Sequence, residues 1–235
     1  MSKVTFETML DAGVHFGHLK RKWNPSMAPY IFDEKKGIHV IDLNKTLAKL
    51  EEASNAMKQI AKSGRKILFV ATKKQAKEII SSKLTEVNMP FITERWPGGM
   101  LTNFKTTRKT IKKMSSIDKM MKDGTADTMS KRERLQLTRQ REKIGKVFGS
   151  VSDMNRLPAA IFIVDVKKEH IALAEAKNLN IPVFAMVDTN SSPEGIDFLI
   201  PSNDDATKSI DLIVGHLCDS ICLLYTSPSP RDTLL

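Results

Sequence analysis

Cysteine is nearly absent from this chain: there are two, Cys218 and Cys222. They match no metal-ligand spacing, and with no secretory leader ahead of them a structural disulfide is not expected. Residues Met1 to Phe6 lack the apolar run of a signal peptide, and no stretch reaches the roughly 20 apolar residues of a membrane span. The expectation is a cytosolic protein with no membrane partner. The signatures of phosphate chemistry are missing too. No Gly-x-Gly-x-x-Gly follows a strand pattern, and no loop ends in Gly-Lys-Ser/Thr. Neither a Ser-His-Asp nor a Cys-His constellation has a local signature. We therefore expect no catalytic residues, no cofactor and no small-molecule substrate. The alternative these absences oppose is a doubly wound nucleotide- or sugar-phosphate-binding enzyme with a basic insertion.

Charge, by contrast, is abundant and uneven. Thirty-seven Lys and Arg against 27 Asp and Glu give a net charge of +10. That balance favours a polyanionic partner, nucleic acid before membrane. Between Lys105 and Lys146 there are 14 basic and 5 acidic residues, whereas the rest of the chain holds 23 and 22. Nearly all the excess thus sits in one segment. Phe104, Ile111, Met114, Ile117 and Met121 recur there at mostly helical spacing. Met129, Leu135, Leu137, Ile144 and Val147 do so less regularly. Lys122-Asp123-Gly124-Thr125 between them is a turn signal. Two short-linked helices pack antiparallel, so the segment predicts a helical hairpin standing out from the main domain. A solvated charged face usually mixes both signs. This one is about three to one positive, which suits Lys and Arg neutralising phosphates. Only Phe104 and Phe148 flank the segment as aromatics, so base stacking is not its main expected mode.

Elsewhere short apolar runs alternate with helical patterns, and 41% hydrophobic content suffices for a core. Strands are expected at Lys66–Ala71, Pro90–Thr93, Ala159–Val164, Pro182–Val187 and Phe198–Ile200. Helices are expected at Lys73–Thr85, Glu169–Leu179 and Asp204–Ile221. Ile38–Ile41 and a helix from Asn44 to Lys62 fit the same scheme. Continuous β-branched runs between helices imply a parallel sheet covered on both faces. Such a sheet binds ligands beyond the C-terminal ends of its strands. Asp165 and Asp188 stand at those ends, where Asp most often turns the chain or caps a helix.

Two further stretches carry chemistry. Lys20, Arg21, Lys22 and Trp23 make a basic cluster with one aromatic, a candidate RNA contact. His15 and His18, three apart, could share a metal. Gly13 and Gly17 argue against a stable helix through them, so a structural role is expected and no metal is assigned. In Arg95-Trp96-Pro97-Gly98-Gly99-Met100-Leu101-Thr102-Asn103 the paired glycines allow a tight turn. The helix N-terminus that follows can hold a phosphate, a reading compatible with a turn that simply launches the basic hairpin.

These motifs resemble those of the bacterial small-subunit ribosomal protein S-two (universal uS-two) family. The likeness rests on Ala12-Gly13-Val14-His15-Phe16-Gly17-His18, Trp23-Asn24-Pro25, Arg95-Trp96-x-Gly98-Gly99-x-Leu101-Thr102-Asn103, Leu157-Pro158, Ile181-Pro182-Val183, Val187-Asp188-Thr189-Asn190 and Ile200-Pro201-x-Asn203-Asp204-Asp205-Ala206. They keep the family's order over residues 4 to 220. Pro97 departs from the aliphatic residue expected there and should stiffen the turn without abolishing it. The resemblance implies a flavodoxin-like doubly wound parallel sheet carrying a protruding antiparallel coiled-coil hairpin. It implies binding to small-subunit ribosomal RNA near the head–body junction. It also implies contact with other small-subunit proteins, including docking of the large mRNA-binding protein, and so a place in the small subunit of the cytoplasmic ribosome. Charge and position nominate Lys20, Arg21, Lys22, Trp23, Arg95, Asn103, Lys105, Arg108, Lys109, Lys112 and Lys113 for RNA contact. A free RNA-binding regulator away from ribosomes would have the same sequence.

The expected division is a discontinuous α/β domain from 1–103 and 149–221, the basic hairpin at 104–148, and a tail at 222–235. The tail, from Cys222-Leu223-Leu224-Tyr225 to Arg231-Asp232, resembles an in-frame translation of a transposase-end sequencing adapter. Genuine sequence is expected to stop near Ile221, so no function is read into Cys222 or Tyr225.

Overall fold

The computed structural model describes residues 4–123 and 129–222. The turn expected around Gly124 and the tail beyond Cys222 lie outside the described residues.

The centre of the molecule is a parallel sheet of β4 (Ile67–Val70), β5 (Phe91–Ile92), β6 (Ala160–Val164), β7 (Val183–Val187) and β8 (Phe198–Pro201). Its spatial order is β5-β4-β6-β7-β8, with every neighbouring pair parallel. Numbered from its own first strand this is 2-1-3-4-5, the flavodoxin-like order. Each long strand is buried throughout, as a sheet covered on both faces requires. Alternation along the strands sorts side chains into two cores. Ile67, Phe69, Phe162, Val164, Phe184 and Met186 face α2 (Leu43–Lys62), α3 (Lys74–Glu86) and α7 (Thr207–Cys222). Leu68, Val70, Ile161, Ile163, Ala185 and Val187 face α6 (His170–Asn178) and the Trp96–Leu101 loop. The sheet-forming runs and helices expected from the sequence are therefore present, with boundaries that coincide or shift by up to three residues.

One assignment needs correction. Ile38–Ile41 is β3, and it belongs to a separate antiparallel sheet of order β1-β3-β2 with β1 (Phe16–Leu19) and β2 (Ile31–Lys35). The reason is local. Lys36 and Gly37, the two residues between β2 and β3, both take positive φ (53° and 77°). That is the type I′ geometry whose twist folds strands back on each other. A parallel pairing would need a crossover of a dozen or more residues.

This small sheet is tied to the C-terminal ends of β7 and β8. Thr189 Oγ1 accepts from His18 N at 2.8 Å, and Asn24 N donates to Thr189 O at 2.8 Å. Asn203 N donates to Val14 O at 3.0 Å, and its side-chain amide donates to Gly13 O at 3.2 Å. Gly17 is required here, since a Cβ on it would stand 2.7 Å from Thr189 Cγ2 and 2.9 Å from His39 O. A short helix, α1 (Phe6–Asp11), capped by Thr5, precedes this sheet.

The basic segment forms α4 (Phe104–Lys122) and α5 (Lys131–Phe148). Thr107, Ile111, Met114 and Ile117 make the buried face of α4. Ile111 joins the core on the α6 side of the sheet, whereas Met114 and Ile117 belong to neither sheet core. α5 begins on a capping box, in which Ser130 and Glu133 satisfy each other's backbone N–H. Arg141 Nε reaches Asp118 at 2.7 Å, and Gly145 lies against Met114.

Candidate nucleic-acid interface

Lys20, Arg21 and Lys22 form one 3-10 turn between β1 and Trp23, and all three are exposed. Lys20 Nζ pairs with Glu34 at 2.6 Å, at an exposed position where such a pair holds little energy against an incoming phosphate. Trp23 is half-buried, its ring centroid 5.1 Å from that of His39. His39 itself is buried, and neither of its ring nitrogens finds a partner among the described residues.

The second group surrounds the base of α4. Lys105, Lys109, Lys112 and Lys113 are exposed, turned away from the buried Thr107–Ile117 face by helical periodicity. Arg95 and Asn103 are exposed in the loop before the helix; Asn103 is its N-cap residue but makes no side-chain capping bond. Arg108 differs from its neighbours in that Nη1 of its guanidinium donates within the protein, to Met154 O at 3.2 Å and to Asn155 Oδ1 at 2.5 Å. It braces α4 onto the segment that follows α5.

The loop that leads to the second group and the segment just after the first both meet the C-terminal ends of the parallel strands. The Arg95–Asn103 loop follows the C-terminal end of β5, and Asn24 is bonded to Thr189 just beyond β7. Three strand spacings, about 14 Å, separate those ends. Met27, close after the basic turn, shares one apolar cluster with Trp96, Met100 and Leu101.

The Gly98-Gly99 turn forms as the sequence implies, with Met100 N donating to Pro97 O and Gly99 at φ +82°. The N–H groups of the loop itself are spent internally, on a carboxylate of another element. Glu175, buried on α6, accepts five bonds there. Oε1 takes Trp96 Nε1 (3.0 Å) and Gly99 N (2.7 Å), and Oε2 takes Leu101 N (2.9 Å), Thr102 N (3.1 Å) and Thr102 Oγ1 (3.2 Å). Burial pushes this carboxyl up, but the Trp96 indole and the three backbone donors outweigh it and hold it below its ordinary range. Nothing in the motif itself pointed to Glu175; the only signal is a lone acid on the inward face of an alanine-rich helix.

The crevice where doubly wound sheets take ligands is likewise filled by the protein's own charges. Lys73 Nζ lies 3.0 Å from Asp165, 2.7 Å from Asp204 and 2.7 Å from Asp205. Burial depresses Lys73, and its three carboxylate neighbours reverse that and raise it. Thr72 binds Glu169, and Lys168 Nζ donates to Thr72 O at 3.0 Å. Asp165 also turns the chain, its side chain accepting from Lys168 N. Asp188 accepts from Thr189 N and pairs with His18 Nδ1 at 2.7 Å. The hydrogen bond that His18 Nδ1 donates to Asp188 raises His18, while burial beside Asp165 and Asp188 pushes Asp204 up to about 7. His18, Asp188 and Asp204 each turn a donor atom within 4.8 Å of the others, a set that could hold a divalent cation. His15 is not part of it; its ring lies 4.0 Å from that of Phe16. The two strand-end carboxylates singled out in the sequence are thus each taken up by an internal partner, Asp165 by Lys73 and Asp188 by His18.

Comparison with known proteins places this arrangement. Residues 9–223 match the family model described as ribosomal protein S2. The chain is 66% identical over 221 residues to the small ribosomal subunit protein uS2 of Azobacteroides pseudotrichonymphae, covering 94% of this chain and 84% of that protein. Against the uS2 proteins of Parabacteroides distasonis and Porphyromonas gingivalis it is 64% and 65% identical, covering 80% and 79% of their lengths. The motifs that meet at the ends of β7 and β8 and around Glu175 lie within the matched span, and the chain belongs to the ribosomal protein S2 family, structural proteins of the small ribosomal subunit and not enzymes.

Proposed function

We propose that this protein binds small-subunit ribosomal RNA through the basic face of α4 and the Lys20–Trp23 turn, and that it works by placement in the cytoplasmic ribosome. The observation that carries the reading is the exposed row of Lys105, Lys109, Lys112 and Lys113, opposite the buried face of a helix rooted in the sheet core. Lysines three and four apart on one face can neutralise successive phosphates without reading bases. Arg95, Asn103, Lys20, Arg21, Lys22 and Trp23 complete the surface, and Arg108 supports it from within. Residues 104–148 act as a protruding antiparallel coiled-coil arm on a body made of 1–103 and 149–221. Two facts support that division. Pairings between the helices run in opposite senses, Asp118 with Arg141 and Met114 with Gly145. Met114 and Ile117 are buried outside both sheet cores. Residues 222–235 are adapter-derived on this reading, which resequencing from unfragmented DNA checks.

Docking of a large mRNA-binding ribosomal protein belongs to the same proposal. Its support is an apolar groove of about 650 Å³ lined by Phe6, Leu10, Phe16, Phe32 and Val40. Phe32 is 74% exposed there, and exposed apolar patches of this kind mark interaction sites.

Sedimentation tests the placement. The tagged chain should travel with small subunits through a gradient and bind purified small-subunit rRNA. Recovery only at the top of the gradient, with rRNA binding intact, would favour a free regulator instead.

A further inference from the structure

Eleven residues without regular structure, 93–103, connect β5 to α4, and a connection of that length does not by itself fix where the next helix points. α4 also lacks a side-chain cap at Asn103, so its start is not held locally. Arg108 and the buried Ile111 hold the helix itself to the body, and the loop that leads into it is held from another element. α6 is seated on the sheet by Ala172 and Ala176, both fully buried, and between them it projects Glu175 into the loop. Five donors spread over seven residues, Trp96 to Thr102, converge on that one carboxylate.

We propose that Glu175 is a positioning residue for RNA capture: it fixes the direction in which α4 leaves the body, so that the row of lysines meets RNA already oriented. This rests on the RNA-binding reading above. Both carboxylate oxygens are used, Oε1 on the Trp96–Gly99 side and Oε2 on the Leu101–Thr102 side, so the group staples the two halves of the loop together. Neutral glutamine has the same size but only one acceptor oxygen. Its amide nitrogen would face N–H donors on one side, and that half of the loop would come loose. An arm that samples the productive direction a fraction of the time binds more weakly by that fraction. The phosphates finally touched are unchanged, so affinity should fall equally at all salt concentrations.

The test uses the full chain with Cys222→Ser and spin labels at Lys119 on α4 and Lys62 on α2, read by double electron–electron resonance, beside binding to small-subunit rRNA across a salt series. Without further substitution we expect one narrow distance distribution. Glu175→Gln should broaden it and weaken RNA binding about tenfold at every salt concentration, with the salt slope intact. Trp96→Phe, which removes one donor and leaves the carboxylate, should keep the distribution narrow and binding within about twofold. If Glu175→Gln does not fold, Trp96→Phe combined with Thr102→Val removes both side-chain donors and should broaden the distribution partway. An unchanged distribution in the Gln variant, or in the double variant if that one is needed, would overturn the proposal. So would a broadened one with unchanged affinity. If the unsubstituted chain fails to bind rRNA at all, the RNA-binding reading fails instead, and the positioning proposal for capture falls with it.

Discussion

At the residue scale, single side chains hold distant motifs together. Gly17 is one such point, where β1 passes so close to Thr189 and His39 that a methyl group has no room. Gly17→Ala should cost about 1–3 kcal/mol, read as a lowered denaturation midpoint with an unchanged slope. Glu175 is another. Replacing it by alanine orphans a buried indole N–H and three backbone N–H groups, and should cost about 3 kcal/mol. The pH dependence follows from the same bonds. The folded carboxyl titrates below its ordinary value of 4.5, so its contribution is full above that value. It is lost as pH falls through the lower folded value. Acid unfolding of Glu175→Gln should therefore be shallower in that window than that of the unsubstituted chain, and equal slopes would refute the assignment. Such residues are hard to read from sequence. Glu175 stands among alanines and resembles a solvent-facing helix position, and its donors lie more than 70 positions away. Lys73 looked like an ordinary helix start, yet three carboxylates from two distant segments surround it.

At the element scale, legibility tracked burial. The strands of the parallel sheet are covered on both faces, so each reads as a continuous β-branched or aromatic run, and these were placed correctly. β1 and β2 are mostly exposed and show no alternation, which left them invisible. β3 was legible as a strand but not in its partner, because the deciding information was the pair of positive-φ residues at Lys36 and Gly37. The two basic helices were legible from apolar spacing, including the weaker pattern of α5, which has no buried residue. α5 instead depends on its start. Ser130→Ala should remove about 1 kcal/mol of local helix stability. Ile117 packs in α4 outside both sheet cores. Ile117→Ala should speed amide exchange throughout α4 and α5 while leaving the strands β4, β6 and β7 unchanged. Equal acceleration in the sheet would show that the arm and body unfold as one unit.

At the scale of the whole molecule, a flavodoxin-like sheet has its usual ligand crevice occupied by Lys73 and its carboxylates, and the chain's excess positive charge lies in the segment of α4 and α5. The rest of the chain is near neutral and the segment of α4 and α5 strongly positive, so on the proposed reading attraction to RNA concentrates where the lysines are held apart by helix geometry. The uneven charge along the sequence already marks that segment; what the fold adds is that Lys105, Lys109, Lys112 and Lys113 stand opposite the buried face of α4. The most direct measurement is binding of the full chain to small-subunit rRNA over a series of salt concentrations, beside a variant with Lys105, Lys109, Lys112 and Lys113 changed to Gln. We expect the variant to bind more weakly and its salt slope to fall by about one for each lysine lost, about four in all. Equal affinity and slope in the two proteins would contradict α4 as the phosphate-reading surface.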